Sequence, residues 1–173
     1  MIKLVFLRGP SAVGKTALAK SLLLALKNKG IDCAFISEDN FRKKMQFKYK
    51  AKDKIVHSNS VELIKNVIES LTTLDNYQVI ILEGLFRYEE MIANYRKFAR
   101  KGGYEFILFQ LKAPLSVRKR RNKISKVRDH VADLESLHGR GNGEEVTPHN
   151  SIPLDTTLSI HEVTLKVISK LKL

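Results

Sequence analysis

The chain holds one cysteine, Cys33, among 173 residues. A lone thiol excludes an internal disulfide and a zinc site built from cysteines. It stands in the apolar run Cys33-Ala34-Phe35-Ile36, which points to a buried, inert thiol rather than a nucleophile. Long apolar runs are absent: none reaches the ~18 residues that a membrane span needs. The N-terminal apolar stretch is short and passes directly into a glycine loop, so it does not read as a cleaved signal peptide. Histidines are few and dispersed, and His57, His130, His138, His149 and His161 show no metal-ligand spacing. No Ser-His-Asp or Cys-His arrangement can be argued. These absences fit a cytoplasmic protein with no membrane partner.

Acidic residues are also in short supply. The chain has 31 Lys+Arg against 18 Asp+Glu, a net charge of +13. Such an excess favours polyanionic partners: nucleic acid, nucleotides or phosphorylated metabolites. A generally lysine-rich surface accounts for it equally well. The length and a hydrophobic content of 43% suit one domain, 1–173, with a real core.

What is present is concentrated near the N-terminus. Gly9-Pro10-Ser11-Ala12-Val13-Gly14-Lys15-Thr16 fits G-x-x-x-x-G-K-[ST], the phosphate-binding P-loop. It follows the strand-length apolar run Ile2–Leu7 and precedes Ala17-Leu18-Ala19-Lys20-Ser21-Leu22, all of it compatible with a helix. Strand, glycine loop and helix N-terminus together make an anion site from backbone N–H groups. Lys15 adds a mobile positive charge that can reach β- and γ-phosphates, and Thr16 offers a hydroxyl to Mg²⁺.

The remainder alternates strand and helix. Helix is expected over 15–28, with Gly30 as its stop, and strand over 33–37. A basic, partly aromatic stretch covers 41–54 and a helix 55–74, with Val61, Ile64, Val67, Ile68 and Leu71 at helical spacing. The apolar run Val79–Leu82 suits a strand covered on both faces. A helix over 88–101, a strand over 104–111 and a very basic helix over 115–137 follow. Gly139 to Glu145 reads as a mobile loop, and 157–173 as a short strand leading into a terminal helix. The alternation predicts an α/β fold: three layers, a mainly parallel sheet, helices on both faces and a basic helical lid at about 115–150. Ligands of such folds bind at the carboxyl ends of the strands, where the P-loop lies.

The other strand ends carry candidate chemistry. After the second strand comes Asp39-Asn40-Phe41-Arg42, with acid and arginine on one side of a helical turn. Asp39 can accept the proton of an attacking hydroxyl while Arg42 holds a phosphate or orients the acceptor. An N-cap Asp39 with a surface Arg42 is the plain alternative. The third strand ends in Glu83-Gly84, where an acid suits a Mg²⁺-water partner or an acceptor contact. A carboxylate bonded to loop backbone is its alternative. Arg87 could pair with Glu83 or touch the acceptor.

Two basic stretches remain. The first holds Arg118, Lys119, Arg120, Arg121, Lys123, Lys126 and Arg128. Arg121 and Arg128 are two turns apart on one face and suit a lid closing over ATP; the others read as a solvated charge run. The second, from Lys43 to Lys54, interleaves Phe47 and Tyr49 with lysines. It suits stacking on bases or an exposed helix face.

The set Gly9-x-x-x-x-Gly14-Lys15-Thr16, Asp39-x-x-Arg42, Leu82-Glu83-Gly84 and Ala113-Pro114-Leu115-Ser116-Val117 leading to Arg121 resembles small P-loop kinases. The resemblance is to the polynucleotide kinase and zeta-toxin-like group, which includes chloramphenicol phosphotransferase and adenylylsulfate kinase relatives. It implies the general base at Asp39, an acceptor-phosphate contact at Arg42, and a donor-phosphate lid arginine at Arg121 or Arg128. It also places Asp155 and Thr156 near the adenine. Many relatives carry glycine where this chain has Ala12, so its loop is less permissive. The tyrosine-rich insertion of guanylate kinases is not recognisable. The expected activity is transfer of the γ-phosphoryl of ATP·Mg²⁺ to a hydroxyl, with a polynucleotide 5′-hydroxyl as one acceptor. The alternatives are a metabolite, nucleoside or antibiotic acceptor, or a non-catalytic nucleotide-dependent or nucleic-acid-binding protein.

Overall fold

The computed structural model describes residues 1–44, 54–74, 77–86, 88–125 and 147–173. Strand β1 is Lys3–Arg8 and helix α1 Lys15–Lys27. Strand β2, Cys33–Ser37, runs straight into the short helix α2, Glu38–Lys44. Helix α3 is Lys54–Leu74, β3 Val79–Gly84, α4 Glu89–Lys101 and β4 Glu105–Lys112. Helix α5, Leu115–Ser125, precedes β5, Ile152–Asp155, and the terminal helix α6, Ile160–Leu171.

Among the described residues five strands form one parallel sheet in the order β2-β3-β1-β4-β5. Strands that alternate along one sheet send successive side chains to opposite faces. In β1, Val5 and Leu7 face α1 and α6, while Leu4 and Phe6 face α3 and α4. All six residues of β3 are buried, as a central strand covered on both sides requires. On one face the sheet meets Leu18, Leu22, Leu26, Val163 and Val167. On the other it meets Val61, Ile64, Ile68, Tyr95 and Phe98. The expected three-layer α/β architecture is thus what the chain adopts.

Chain order positions the site. The connection from β1 leads to β2 on one side, and the one from β3 crosses to β4 on the other. Where that direction reverses, a crevice opens at the carboxyl ends of the strands. The glycine loop after β1 and the start of α2 after β2 both lie on that edge.

One expectation needs correction. The last strand is 152–155, not a segment beginning at Thr157. Pro153 conceals it in the sequence, because proline cannot donate to a ladder; β5 is the edge strand, where that loss is tolerated. Thr157 instead lies in the turn that ends in Ser159. Ser159 and Glu162 form a reciprocal capping box, which fixes the start of α6. Of the basic helix over 115–137, the part after Ser125 lies outside the described residues, as do 45–53 and the glycine loop at 139–145.

Leu22 is fully buried between the sheet and α6. Leu22→Ala should lower stability by about 2–5 kcal/mol, the usual result of a buried leucine truncation. Urea unfolding followed by circular dichroism measures it.

Candidate active site

The P-loop is built by two steric demands. Gly9 rests on β4: a Cβ there would lie 2.9 Å from the Leu111 carbonyl oxygen and 3.0 Å from Val13 Cγ1. Only glycine lets the loop leave β1 this close to its neighbour. Gly14 sits at φ 106°, a conformation open to glycine and strained for any side chain. Ala12 holds φ 60° in the left-handed region although it carries a Cβ. The missing glycine at this position is therefore a local cost of roughly 1–2 kcal/mol.

Helix α1 begins as an anion site rather than as a stable helix end. Its N-cap is Gly14, with no side-chain cap, and its first turn contains no acid. Lys15 stands there instead. The helix dipole disfavours a cation at this end and favours an anion. The N–H groups of the first turn suit a phosphate where other helices use Ser, Asp or Glu. Lys15 Nζ turns back onto the loop, donating to the carbonyls of Gly9 at 2.8 Å and Pro10 at 3.0 Å. Its swing from there to a phosphate needs only side-chain rotation.

Thr16 points toward β3. Its Oγ1 lies 3.0 and 3.1 Å from the two carboxylate oxygens of Glu83. Ser37 Oγ donates to the same carboxylate at 2.8 Å. The β2–β3 register sets Ser37 directly beside Glu83, so both face one point. Glu83 is only 5% exposed, and the two hydroxyls give its buried carboxylate oxygens hydrogen-bond partners. A hydroxyl and a carboxylate at the end of β3 are hard oxygen donors of the kind Mg²⁺ takes, with phosphates and waters as its remaining partners. Thr16 and Glu83 fit that ion. Ser37 was not among the residues singled out from sequence; only its register with Glu83 reveals it.

Asp39 is half-buried in the first turn of α2. It lines the same pocket as Ser11, Lys15, Thr16, Glu83 and Arg121, a space of about 460 Å³. Arg42 follows one turn later in α2; its side chain lies outside the described residues, as do Arg87 and Arg128.

Arg121 comes from α5. Its Nη1 donates to the Val13 carbonyl at 3.0 Å and lies 3.4 Å from Thr156 Oγ1. Its Nη2 donates to the Thr156 carbonyl. Thr156 is buried, with Oγ1 2.8 Å from the Val13 carbonyl and 3.1 Å from that of Lys112. Arg121 and Thr156 thus tie the P-loop to the turn after β5. Asp155, beside them, is exposed. The backbone N–H of Thr157, then its hydroxyl, donate to its carboxylate and hold the pKa below the ordinary range.

Arg118 corrects the picture of a solvated charge run. It is 2% exposed, and its Nε donates to the Ser11 carbonyl at 2.9 Å. Its spacing of three from Arg121 puts both on one face of α5, aimed at the P-loop. Arg120 and Lys123 are exposed, as a solvated face requires. Cys33 is buried, and burial raises its thiol pKa, which fits an inert side chain. Among the described residues no cluster of three or more His, Cys, Asp or Glu is placed to hold a metal, and no helix is long and apolar enough to cross a membrane.

A family model described as an AAA domain matches residues 4–136. The chain belongs to this family. Its P-loop, central strands and basic helix all fall inside the matched span. No curated protein matches the chain. Among solved structures it is similar to the APS kinase CysC of Mycobacterium tuberculosis in complex with AMPPNP and APS. The identity is 22% with a TM-score of 0.78, over 99% of this chain and 98% of that one. It is also similar to a sugar kinase from Janibacter sp. HTCC2649, at 20% identity and a TM-score of 0.65, over 99% and 95% of the two chains. At these identities the likeness establishes a shared α/β P-loop fold.

Two substitutions test the loop geometry. Gly14→Ala should abolish binding of AMPPNP, because it forces φ 106° on a residue with a Cβ. Ala12→Gly should keep binding and relieve left-handed strain, stabilising the fold by up to about 1 kcal/mol after the added chain entropy of glycine. Calorimetric titration and thermal unfolding measure both.

Proposed function

We propose that this protein is a kinase that moves the γ-phosphoryl of ATP to a hydroxyl acceptor. The observation that carries the reading is one pocket shared by Lys15, Thr16, Glu83, Arg121 and Asp39. A phosphate cradle alone binds a nucleotide. A cradle that shares its pocket with the Asp39 carboxylate can also handle an acceptor.

Gly9, Ser11, Ala12, Val13, Gly14, Lys15 and Thr16 cradle the phosphates through loop and helix N–H groups. Thr16 and Glu83 would hold Mg²⁺, which would supply neutralisation of charge on the transferred group. Asp39 aligns the acceptor hydroxyl and takes its proton as the new O–P bond forms. The bond from Pγ to the β-phosphate oxygen breaks, and ADP carries away the released charge. Lys15 and Arg121 offset charge that develops on the equatorial oxygens. Arg42, one turn from Asp39, holds a phosphate of the acceptor, and Arg128 is a second lid arginine. Asp155 and Thr156 border the adenine. Positioning and electrostatics supply most of the acceleration in such a site.

The acceptor we favour is a polynucleotide 5′-hydroxyl, supported by the net charge of +13 and by Asp39-x-x-Arg42. A small hydroxyl metabolite is the second reading, favoured by the APS kinase and sugar kinase that share the fold.

Transfer of label from γ-labelled ATP decides the matter, with a 5′-hydroxyl oligonucleotide and a pool of small hydroxyl compounds as acceptors. Asp39→Asn should cut transfer about 10²–10⁴-fold, the usual worth of a general base. AMPPNP affinity should change little. Survival of transfer in that variant removes Asp39 from the base role. Label on the oligonucleotide, with affinity falling steeply as salt rises, supports the polynucleotide acceptor. Label only among the small compounds supports the second reading. No transfer at all, with AMPPNP still bound, leaves a nucleotide-dependent binding protein.

A further inference from the structure

The face of the sheet away from α1 carries buried polar side chains that the phosphate cradle does not use. Arg8, Glu38, His57 and Gln110 are each 3% exposed or less. Arg8 ends β1, in register with Gly84 on β3 and Gln110 on β4. Its guanidinium donates to Gln110 Oε1 and, at 3.3 Å, to the carbonyl of Phe86. Phe86 itself is buried with φ 41°, a left-handed backbone that its surroundings must enforce. Glu38 opens α2 and lies over Gly84, where a Cβ would overlap its carboxylate. His57, from α3, brings Nδ1 to 3.6 Å from Glu38 Oε1. That is an electrostatic contact, longer than a hydrogen bond. The ring of Tyr88 meets His57 edge-on, with centroids 5.5 Å apart.

Burying a carboxylate against an imidazole is an expensive way to join two helices. Apolar side chains of similar volume commonly do so with equal or better stability. What the pair places is the start of α2. Glu38 immediately precedes Asp39, and the two form the first turn of α2. Its first residue is fixed from below by Gly84 and from the side by His57. A change in the seat of Glu38 changes the direction of the next side chain. An error of about 1 Å in a reacting group can slow a reaction about 10²-fold.

We propose that Glu38 and His57 are a positioning pair that sets the start of α2 and thereby the aim of Asp39 into the phosphate pocket. Gly84 is the matching small residue that admits the Glu38 carboxylate. This rests on the reading of Asp39 as the general base.

The test compares three variants with the wild type. The double variant Glu38→Met with His57→Leu replaces the pair by apolar side chains of similar size. It should melt near the wild type and bind AMPPNP as tightly, with KM for ATP unchanged. Its kcat for transfer to the 5′-hydroxyl oligonucleotide, or to the small compound that takes label, should fall about 10- to 100-fold. Amide hydrogen exchange over α2 should accelerate about tenfold, while β1 and α1 stay protected. His57→Asn puts an amide nitrogen near the position of Nδ1 and should restore kcat to within about threefold of the wild type. Should the double variant fail to fold, Glu38→Gln, which keeps shape and removes charge, carries the same readouts. Unchanged kcat and unchanged α2 exchange in the charge-removing variants overturn the proposal. So does a His57→Asn variant as impaired as the double one. If the wild type transfers phosphate to neither class of acceptor, the kinase reading fails, and exchange over α2 alone decides whether the pair anchors that helix.

Discussion

The contact on which the site depends is the approach of Gly9 to the Leu111 carbonyl of β4. It lets the chain leave β1, turn under its neighbour and re-enter as α1 within a few residues. The turn brings the first N–H groups of α1 to the carboxyl edge of the sheet. That edge is where β2 and β3 deliver Ser37 and Glu83, and where α2 delivers Asp39. A larger residue at position 9 would push the loop off β4 and out of reach of these partners.

The loop is held by its carbonyls. Arg118 takes that of Ser11, Arg121 and Thr156 that of Val13, and Lys15 those of Gly9 and Pro10. Two arginines of α5 therefore shape the cradle besides contributing charge. Binding of a nucleotide has to draw Lys15 away from its carbonyls; Arg118 can stay, because it lies outside the pocket lining.

Much of this was legible in the sequence because its signals are local. The P-loop is contiguous, and the β and α periods of Leu4 to Leu7 and of Val61 to Ile68 follow directly from alternation and helical spacing. Asp39-x-x-Arg42 and Glu83 were legible as strand-end chemistry, and the structure brings Asp39 and Glu83 into one pocket. What stayed hidden depends on register and packing. Ser37 matters only because β2 pairs with β3 at Glu83. Arg118 reads like its charged neighbours until α5 turns it inward. His57 is one histidine among exposed polar residues of α3, and only the seat of Glu38 over Gly84 gives it a role. Pro153 hides β5 because proline argues against a strand everywhere except at an edge.

The central claim is that one pocket holds the phosphates and the acceptor base together. A crystal structure with AMPPNP and Mg²⁺ tests it most directly. The account predicts the β- and γ-phosphates against the N–H groups of 14–16, Lys15 moved from the Gly9 and Pro10 carbonyls onto phosphate, and Mg²⁺ between Thr16 and the Glu83 side. It also predicts the Asp39 carboxylate facing the γ-phosphate with room for a hydroxyl between them. A nucleotide bound with Lys15 still on its carbonyls, or with Asp39 turned away from the γ-phosphate, contradicts it.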